Sequence, residues 1–195
     1  MTENGYPCLY QRGNGKGEKV FNVAIVIMVI AMAIFLFLNT FVYFVVCVTG
    51  TSMEKNFHTG ECLVVNKYAK YDYGDVIIVA RDDKLVIKRV IALGGDSVML
   101  NGGEVFIKKN GQDEYQKLKE DYVYGNYTAP YPNCPSEWIL KEDEVFYMGD
   151  NRNGNASLDC REYGPVKVQN VKGRVTDWSI KIKGFLGKVN EIFNF

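Results

Sequence analysis

The first strong feature of the chain is a long stretch without charge. No Asp, Glu, Lys or Arg occurs between Val20 and Met53, and the segment Val23–Leu38 is entirely apolar. A helix needs about 20 such residues to cross the hydrocarbon core of a bilayer, and a soluble helix of this length would normally show a polar face. The pattern therefore predicts a transmembrane anchor over residues 20–41.

The residues before the anchor predict its orientation. Arg12, Lys16 and Lys19 precede the apolar segment, against Glu3 and Glu18, and positively charged flanks stay in the cytoplasm. Residues 1–19 are therefore expected to be cytoplasmic, with the remainder of the chain outside the cell membrane. A cleaved signal peptide is disfavoured, because the apolar stretch exceeds the usual ~7–15 residues and no clear A-x-A site follows it.

Beyond the anchor, short apolar runs separated by turn residues predict a mostly β domain over residues 42–180. The run Phe41–Val48 is rich in Val and aromatic residues and predicts a strand that leads towards Ser52, which should therefore lie near the outer membrane surface. Asn101–Gly103 lies between two apolar runs and indicates a hairpin. Further strands are predicted within Cys62–Tyr68, Asp75–Ala80, Leu85–Leu93, Ser97–Leu100, Glu104–Lys109, Glu144–Arg152 and Val171–Ile180.

Two segments do not follow the strand pattern. Residues from about 110 to 140, and Asp113–Pro135 in particular, are polar and rich in Tyr and Pro, which predicts a long loop or insertion. The tail, residues 181–195, carries apolar side chains near helical spacing. It predicts an amphipathic helix that either packs on the domain or lies on the bilayer, and the sequence supports both interpretations equally.

Composition argues against some classes of function. Lys and Arg total 23, as do Asp and Glu, so no global basic field favours nucleic acid. The five cysteines form no C-x-x-C pair, which argues against a zinc site or a thioredoxin-like motif; no metal and no cofactor are predicted. Three cysteines follow the apolar segment, so at most one disulfide is expected among Cys62, Cys134 and Cys160.

Three polar stretches are candidates for chemistry. Ser52 is an ordinary loop residue unless a base activates its hydroxyl. Lys88 lies within an apolar strand, where burial would lower its pKa and leave a neutral amine, although a lysine at a strand edge also extends readily to water. The segment Met148–Val166 is dense in small polar and charged residues, as turns and the surroundings of sites both are: Asp150, Asn151, Arg152, Ser157, Asp159 and Arg161.

Taken together, the three stretches resemble the type I signal peptidases, membrane-bound Ser/Lys proteases that remove signal peptides from exported proteins. The family pattern G-x-S-M-x-P-T corresponds to GTSMEKN, K-R-V-x-G-x-P-G-D to KRVIALGGD, and G-D-N-R-x-x-S-x-D-S-R to GDNRNGNASLDCR. The three blocks agree in order and placement, and the resemblance extends from the apolar segment to about Val175.

The resemblance implies a signal-peptidase-like, β-rich catalytic core and a serine endopeptidase that cleaves after small residues. Ser52 matches the nucleophile, and its backbone N–H would help stabilise the oxyanion. Lys88 matches the general base. The matching site-supporting residues are Ser157, which would position the lysine, the pair Asp159 and Arg161, and Asp150 and Arg152 at the start of the same block.

The resemblance also implies the partners. Signal peptides of exported preproteins would bind as extended segments that add to a sheet edge, with shallow pockets for small side chains. The lipid bilayer would contact the anchor and a flat apolar face of the domain, and the export translocon is a further candidate partner. Neither a cofactor nor nucleic acid is implied.

The chain departs from the family pattern at Lys55, Asn56, Ala92, Gly94 and Cys160, and its closing block is two residues longer between Arg152 and Ser157. Gly50 stands where some relatives carry a serine that assists the oxyanion. A second hypothesis is therefore a catalytically impaired, membrane-anchored relative that binds or assembles exported proteins. The single histidine, His58, is expected to be a turn residue rather than the base.

Overall fold

The computed structural model describes residues 15–125 and 128–182. The chain divides into two compact units, Met1–Phe41 and Val42–Phe195. The first unit contains α1 (Gly15–Phe37), which a π-helical turn over Leu38–Val42 extends. No residue of α1 is buried, and the helix is long and apolar enough to cross a membrane. It begins at Gly15 rather than at residue 20.

The second unit is rich in β-structure, which confirms the predicted fold class. Its larger sheet contains seven antiparallel strands in the order β1-β2-β11-β3-β4-β9-β10. The strands are β1 (Tyr43–Cys47), β2 (Cys62–Asn66), β3 (Val76–Arg81), β4 (Lys84–Ala92), β9 (Glu144–Met148), β10 (Val166–Lys167) and β11 (Val171–Val175). The strand predicted from Phe41 begins at Tyr43, and the one predicted over Val171–Ile180 ends at Val175, followed by helical residues 177–182.

A smaller sheet of four antiparallel strands has the order β7-β6-β5-β8. Its strands are β5 (Ser97–Asn101), β6 (Glu104–Lys108), β7 (Gln116–Lys117) and β8 (Glu137–Ile139). The predicted hairpin joins β5 and β6, where Gly102 and Gly103 both adopt positive φ, as a two-residue hairpin turn requires. The segment predicted as a loop thus contributes β7 and β8, because its backbone completes both edges of this sheet.

The apolar core lies on both faces of the larger sheet, because successive side chains of a strand point to opposite faces. Ile77 belongs to a cluster shared with the smaller sheet, including Val98. Ile78 belongs to a second cluster, which includes Met53 from the loop that carries Ser52. Lys88 pairs with Ile77 in the β3–β4 register and therefore lies on the face of the first cluster.

One edge of β4 remains open beside this core. β3 pairs with β4 from Lys84 to Arg89, whereas β9 pairs with it only from Arg89 onward. Among the described residues, the β9-side edge of Lys84–Lys88 therefore has no partner strand. An unpaired strand edge of this kind can pair with a further extended segment.

A disulfide that the sequence reasoning missed joins Cys47 to Cys62. These residues face each other in the antiparallel register of β1 and β2. Cys47 lies inside the charge-free stretch, where the pattern predicts no disulfide; the match depends on the register of the two strands. Cys134 and Cys160 are free. Most of the predicted amphipathic tail lies outside the described residues.

Candidate active site

Ser52 lies in the loop between β1 and β2, and contacts on both of its sides hold it in place. The side chains of Met53 and Phe57 are buried in the core and hold the loop against it. The Asn151 backbone N–H donates to the Ser52 carbonyl at 3.0 Å, and the Asn151 side-chain amide donates to the Thr51 carbonyl at 3.0 Å. The nucleophile candidate is therefore fixed to the segment that follows β9.

Lys88 meets Ser52 directly, although 36 residues separate them in the chain. Its ammonium nitrogen Nζ donates to the Ser52 Oγ at 2.8 Å and to the Ile87 carbonyl at 3.1 Å. The side chain comes from the middle of β4 and is only 3% exposed. The alternative of a lysine that extends to water is therefore wrong.

Burial lowers the pKa of Lys88 from 10.5 to about 8, although the carboxylates of Asp159 and Asp150 oppose this effect. Removing water disfavours the charged ammonium more than these two partly neutralised carboxylates favour it. A substantial fraction of the lysine is therefore neutral at mildly alkaline pH. A neutral amine at hydrogen-bond distance from a hydroxyl can accept its proton.

Three residues of the closing block form a buried hydrogen-bonded group behind the lysine. The Ser157 hydroxyl donates to Asp159 Oδ2 at 2.8 Å, and Arg161 Nε donates to Asp159 Oδ1 at 2.8 Å. Although burial alone would raise the pKa of Asp159, the hydrogen bonds and charge of Arg161 hold it below its usual range. The Ser157 hydroxyl thus binds the carboxylate, and the described contacts include no hydrogen bond from it to Lys88.

Gly149 is a site residue that the sequence reasoning did not single out. Its N–H donates to Asp159 Oδ2 at 3.0 Å. A Cβ at this position would lie 2.1 Å from Ser157 Oγ and 2.4 Å from the Ser52 carbonyl oxygen. Only glycine therefore allows the Ser52 loop and the closing block to approach each other so closely.

Asp150 accepts a bidentate ion pair from Arg89, with Nε at 2.8 Å and Nη2 at 2.6 Å. Asn56, which departs from the family pattern, donates from its amide to Asp150 Oδ2 and to the Tyr122 carbonyl. The Arg89 guanidinium also lies over the Tyr122 ring, 4.2 Å from its centroid. Asn56 thus connects the loop that carries Ser52 to both the closing block and the insertion.

Arg152 ties the insertion to the site from another direction. It is buried, with Nε donating to the Gly149 carbonyl at 2.6 Å and Nη2 forming an ion pair with Glu120. The backbone N–H of Tyr124 donates to the Asp150 carbonyl, and that of Arg152 donates to the Tyr124 carbonyl. The segment predicted as a loop or insertion therefore packs directly against the closing block.

Three departures from the family pattern have local reasons. Gly50 has φ of +87°, where a serine would be strained. Gly94 packs so closely that a Cβ would lie 2.2 Å from the Glu142 carbonyl oxygen. Cys160 is fully buried, its Sγ accepts the Tyr147 N–H at 3.3 Å, and burial raises the pKa of its thiol.

His58 lies exposed in the same loop as Ser52, and its backbone N–H donates to Glu61. No described contact joins its ring to Ser52. Within the ranges 15–125 and 128–182, no group of three or more His, Cys, Asp or Glu side chains is arranged to hold a metal ion.

A serine hydroxyl in contact with a buried lysine amine, in a β-rich domain with an open strand edge, is an arrangement suited to a peptidase. Comparison with known proteins agrees. The sequence model of the family described as "Signal peptidase, peptidase S26" matches residues 21–178. The chain belongs to this signal peptidase family and is a peptidase.

Individual relatives have similar names. Signal peptidase I S of Bacillus subtilis (strain 168) is 29% identical over 152 residues, covering 69% of this chain and 74% of the relative. Signal peptidase I of Bacillus licheniformis is 32% identical over 146 residues, with the same coverage of both chains. A solved signal peptidase I from Enterococcus faecalis V583 shares 28% identity and covers 55% of this chain and 98% of its own, with a TM-score of 0.45.

Proposed function

We propose that this chain is a membrane-anchored serine endopeptidase that removes signal peptides from exported preproteins, with Ser52 as nucleophile and Lys88 as general base. The observation that carries the proposal is the 2.8 Å contact between Lys88 Nζ and Ser52 Oγ, made by a lysine that is 3% exposed. Family membership and the names of the relatives support the substrate class.

In this mechanism the neutral Lys88 amine takes the proton of Ser52 as its Oγ attacks the carbonyl carbon of the scissile bond. The carbonyl oxygen becomes an oxyanion, towards which the Ser52 N–H can donate; this N–H has no hydrogen-bond partner within the described part of the chain. The Lys88 ammonium then gives its proton to the departing amine, and the C–N bond breaks. Lys88 next deprotonates a water molecule, which hydrolyses the acyl-enzyme ester and regenerates Ser52.

The substrate binds as an extended strand along the open β4 edge, Lys84–Lys88. Backbone hydrogen bonds to this edge hold the peptide, and they bring the residue before the cut beside Ser52. The loop residues around Ser52 are closely packed against the closing block, as the contacts of Gly149 illustrate. Such close packing favours small side chains next to the scissile bond.

The apolar helix α1 anchors the enzyme in the bilayer, with its basic N-terminal flank in the cytoplasm and the β-rich domain outside. Signal peptides emerge on that side still attached to the membrane. An enzyme held there meets its substrates at the bilayer surface, and the export translocon is a candidate neighbour.

The test is cleavage of a purified secretory precursor by the full chain in lipid vesicles, read by mass spectrometry. We expect one cut after a small residue with the wild type and none with Ser52→Ala or Lys88→Ala. His58→Ala serves as the matched loop variant and should still cleave. Binding of the precursor without cleavage by the wild type would overturn the proposal.

A further inference from the structure

Arg81 is a charged residue near the open edge of β4 whose contacts the proposed chemistry does not use. It is the last residue of β3 and faces Lys84 across the β3–β4 hairpin. Register pairs Ile77 with Lys88 and Arg81 with Lys84. Because alternate residues share a face, the Arg81 side chain lies on the same face of the sheet as Lys88.

The contacts of Arg81 direct its guanidinium across β4. Its Nη1 donates to the Tyr147 hydroxyl at 3.0 Å, and its Cζ lies 3.4 Å from the centroid of the Tyr163 ring. Tyr147 belongs to β9, which lies on the far side of β4 from β3. This hydrogen bond therefore joins residues of the two strands that flank β4, on the face that carries Lys88.

The guanidinium still has unused hydrogen-bonding capacity. Arginine carries five N–H donors. Within residues 15–125 and 128–182, Nη1 has a hydrogen-bond partner, whereas Nε is buried without one and is not accessible to a ligand. Among the described residues, Arg81 forms an ion pair with Asp82, whose carboxylate is 3.6 Å from Nε; this carboxylate is 86% exposed and therefore solvent-screened. Nη2 has no protein acceptor among the described residues, and the side chain is 22% exposed and so accessible to a ligand.

We infer that Arg81 forms a subsite for an acidic side chain of the substrate, within about five residues of the scissile bond. This inference rests on the proposed peptidase function, because it requires a substrate strand along the open β4 edge. Along such a strand every second side chain faces the sheet side that Lys88 and Arg81 share. The contact with the Tyr163 ring helps to hold the guanidinium in place, and its terminal nitrogens Nη1 and Nη2 can each donate to one oxygen of a carboxylate.

The experiment compares peptide substrates that contain one known cleavage site and carry Asp or Asn at each position in turn on both sides of the cut. For the wild-type chain in vesicles, we expect kcat/KM to be about tenfold higher for Asp than for Asn at one position only. Arg81→Gln should bring this ratio to one, and Arg81→Glu should shift the preference to a Lys-containing peptide at the same position.

Lys109→Gln is the matched control, because Lys109 also lies over a tyrosine ring, 4.0 Å from the centroid of Tyr73, but follows β6 in the other sheet. It should keep the wild-type ratio. The wild-type ratio should also fall as salt is raised, a measurement that needs no variant to fold. Equal rates for Asp and Asn peptides at every position would overturn the inference and leave the peptidase proposal intact. Failure to cleave the all-Asn reference peptide would overturn the peptidase proposal itself.

Discussion

His58 and a few lysines are the candidates for a base that needs no carboxylate in the role, and the geometry separates His58 from Lys88. We predict that Lys88→Ala and Lys88→Arg both abolish precursor cleavage, the latter because a guanidinium stays protonated. His58→Ala should retain most activity, since its ring is exposed and has no described contact with Ser52. The measurement is the cleavage rate of each variant, with circular dichroism as the control for folding. An inactive His58→Ala beside an active Lys88→Ala would refute the assignment of Lys88 as the base.

The pH dependence of cleavage follows from the same residue. Because the proposed base is the neutral amine of Lys88 and burial lowers its pKa to about 8, kcat/KM should rise with pH on a limb centred near that value. Below it the rate should fall about tenfold per pH unit. A profile measured with one precursor from pH 6 to 10 checks this, and a limb centred near 6.5 would instead indicate a histidine base.

Burying Lys88 also carries a stability cost with a defined sign. Its pKa is lower in the folded chain than in the unfolded chain, so the unfolded state binds more protons between pH 8 and 10.5. The free energy of unfolding should therefore rise with pH across that window and gain nothing from this group below it. Lys88→Met, which removes the titrating group, should lose that rise and melt higher than the wild type at pH 7; an unchanged melting profile would contradict the burial argument.

Gly149 gives a prediction that does not depend on titration. Gly149→Ala places a methyl group 2.4 Å from the Ser52 carbonyl oxygen and 2.1 Å from Ser157 Oγ. We expect roughly 1–3 kcal/mol of destabilisation from this overpacking and loss of cleavage, because Ser52 must move away from Lys88. Gly17→Ala in α1, where nothing lies within 4 Å, is the control and should behave as wild type. An active Gly149→Ala would show that the Ser52 loop and the closing block can move apart without loss of cleavage.

At the scale of elements, the Cys47–Cys62 disulfide encloses the whole loop that carries Ser52. Cross-linking a loop of this length stabilises a fold by up to about 3 kcal/mol through the entropy of the unfolded chain. The variant with both residues changed to Ser should have a lower melting temperature than the wild type. A reducing agent should lower the melting temperature of the wild type but not that of the variant. If maleimide labels Cys47 and Cys62 in the unreduced protein, the pairing is wrong.

The insertion is the element whose role depends most on distant partners. Composition identifies a polar, Tyr- and Pro-rich segment and predicts a long loop or an insertion. Its backbone nevertheless forms two short strands of the smaller sheet, and Glu120 neutralises the buried Arg152. Propensity was overridden because these backbone groups and charges find partners only after the two sheets have formed.

At the scale of the whole molecule, the prediction concerns topology. From the charge-free helix and its basic flank we predict that the N-terminus lies in the cytoplasm and the β-rich unit outside. Protease added to intact cells that lack a wall should therefore degrade the unit from Val42 onward and spare the first residues. Protection of that unit would reverse the orientation and would also remove the enzyme from the side where preproteins emerge.

The sequence by itself determined the apolar anchor segment, the strand-rich second unit and the three blocks that carry Ser52, Lys88 and Asp159. These features depend on local periodicity and on residues that are near neighbours in the chain. Local patterns are sufficient for them because a charge-free stretch or an alternating run has its effect wherever it lies in the fold.

Only the tertiary structure decided which of these residues meet and how. The 2.8 Å contact of Lys88 with Ser52 and the pairing of Cys47 with Cys62 depend on strand register. The direction of the Ser157 hydroxyl towards Asp159, and the need for glycine at Gly149, depend on how two loops pack. Such contacts join segments far apart in the chain, and their geometry is set by the packing of both sheets rather than by any local run of residues.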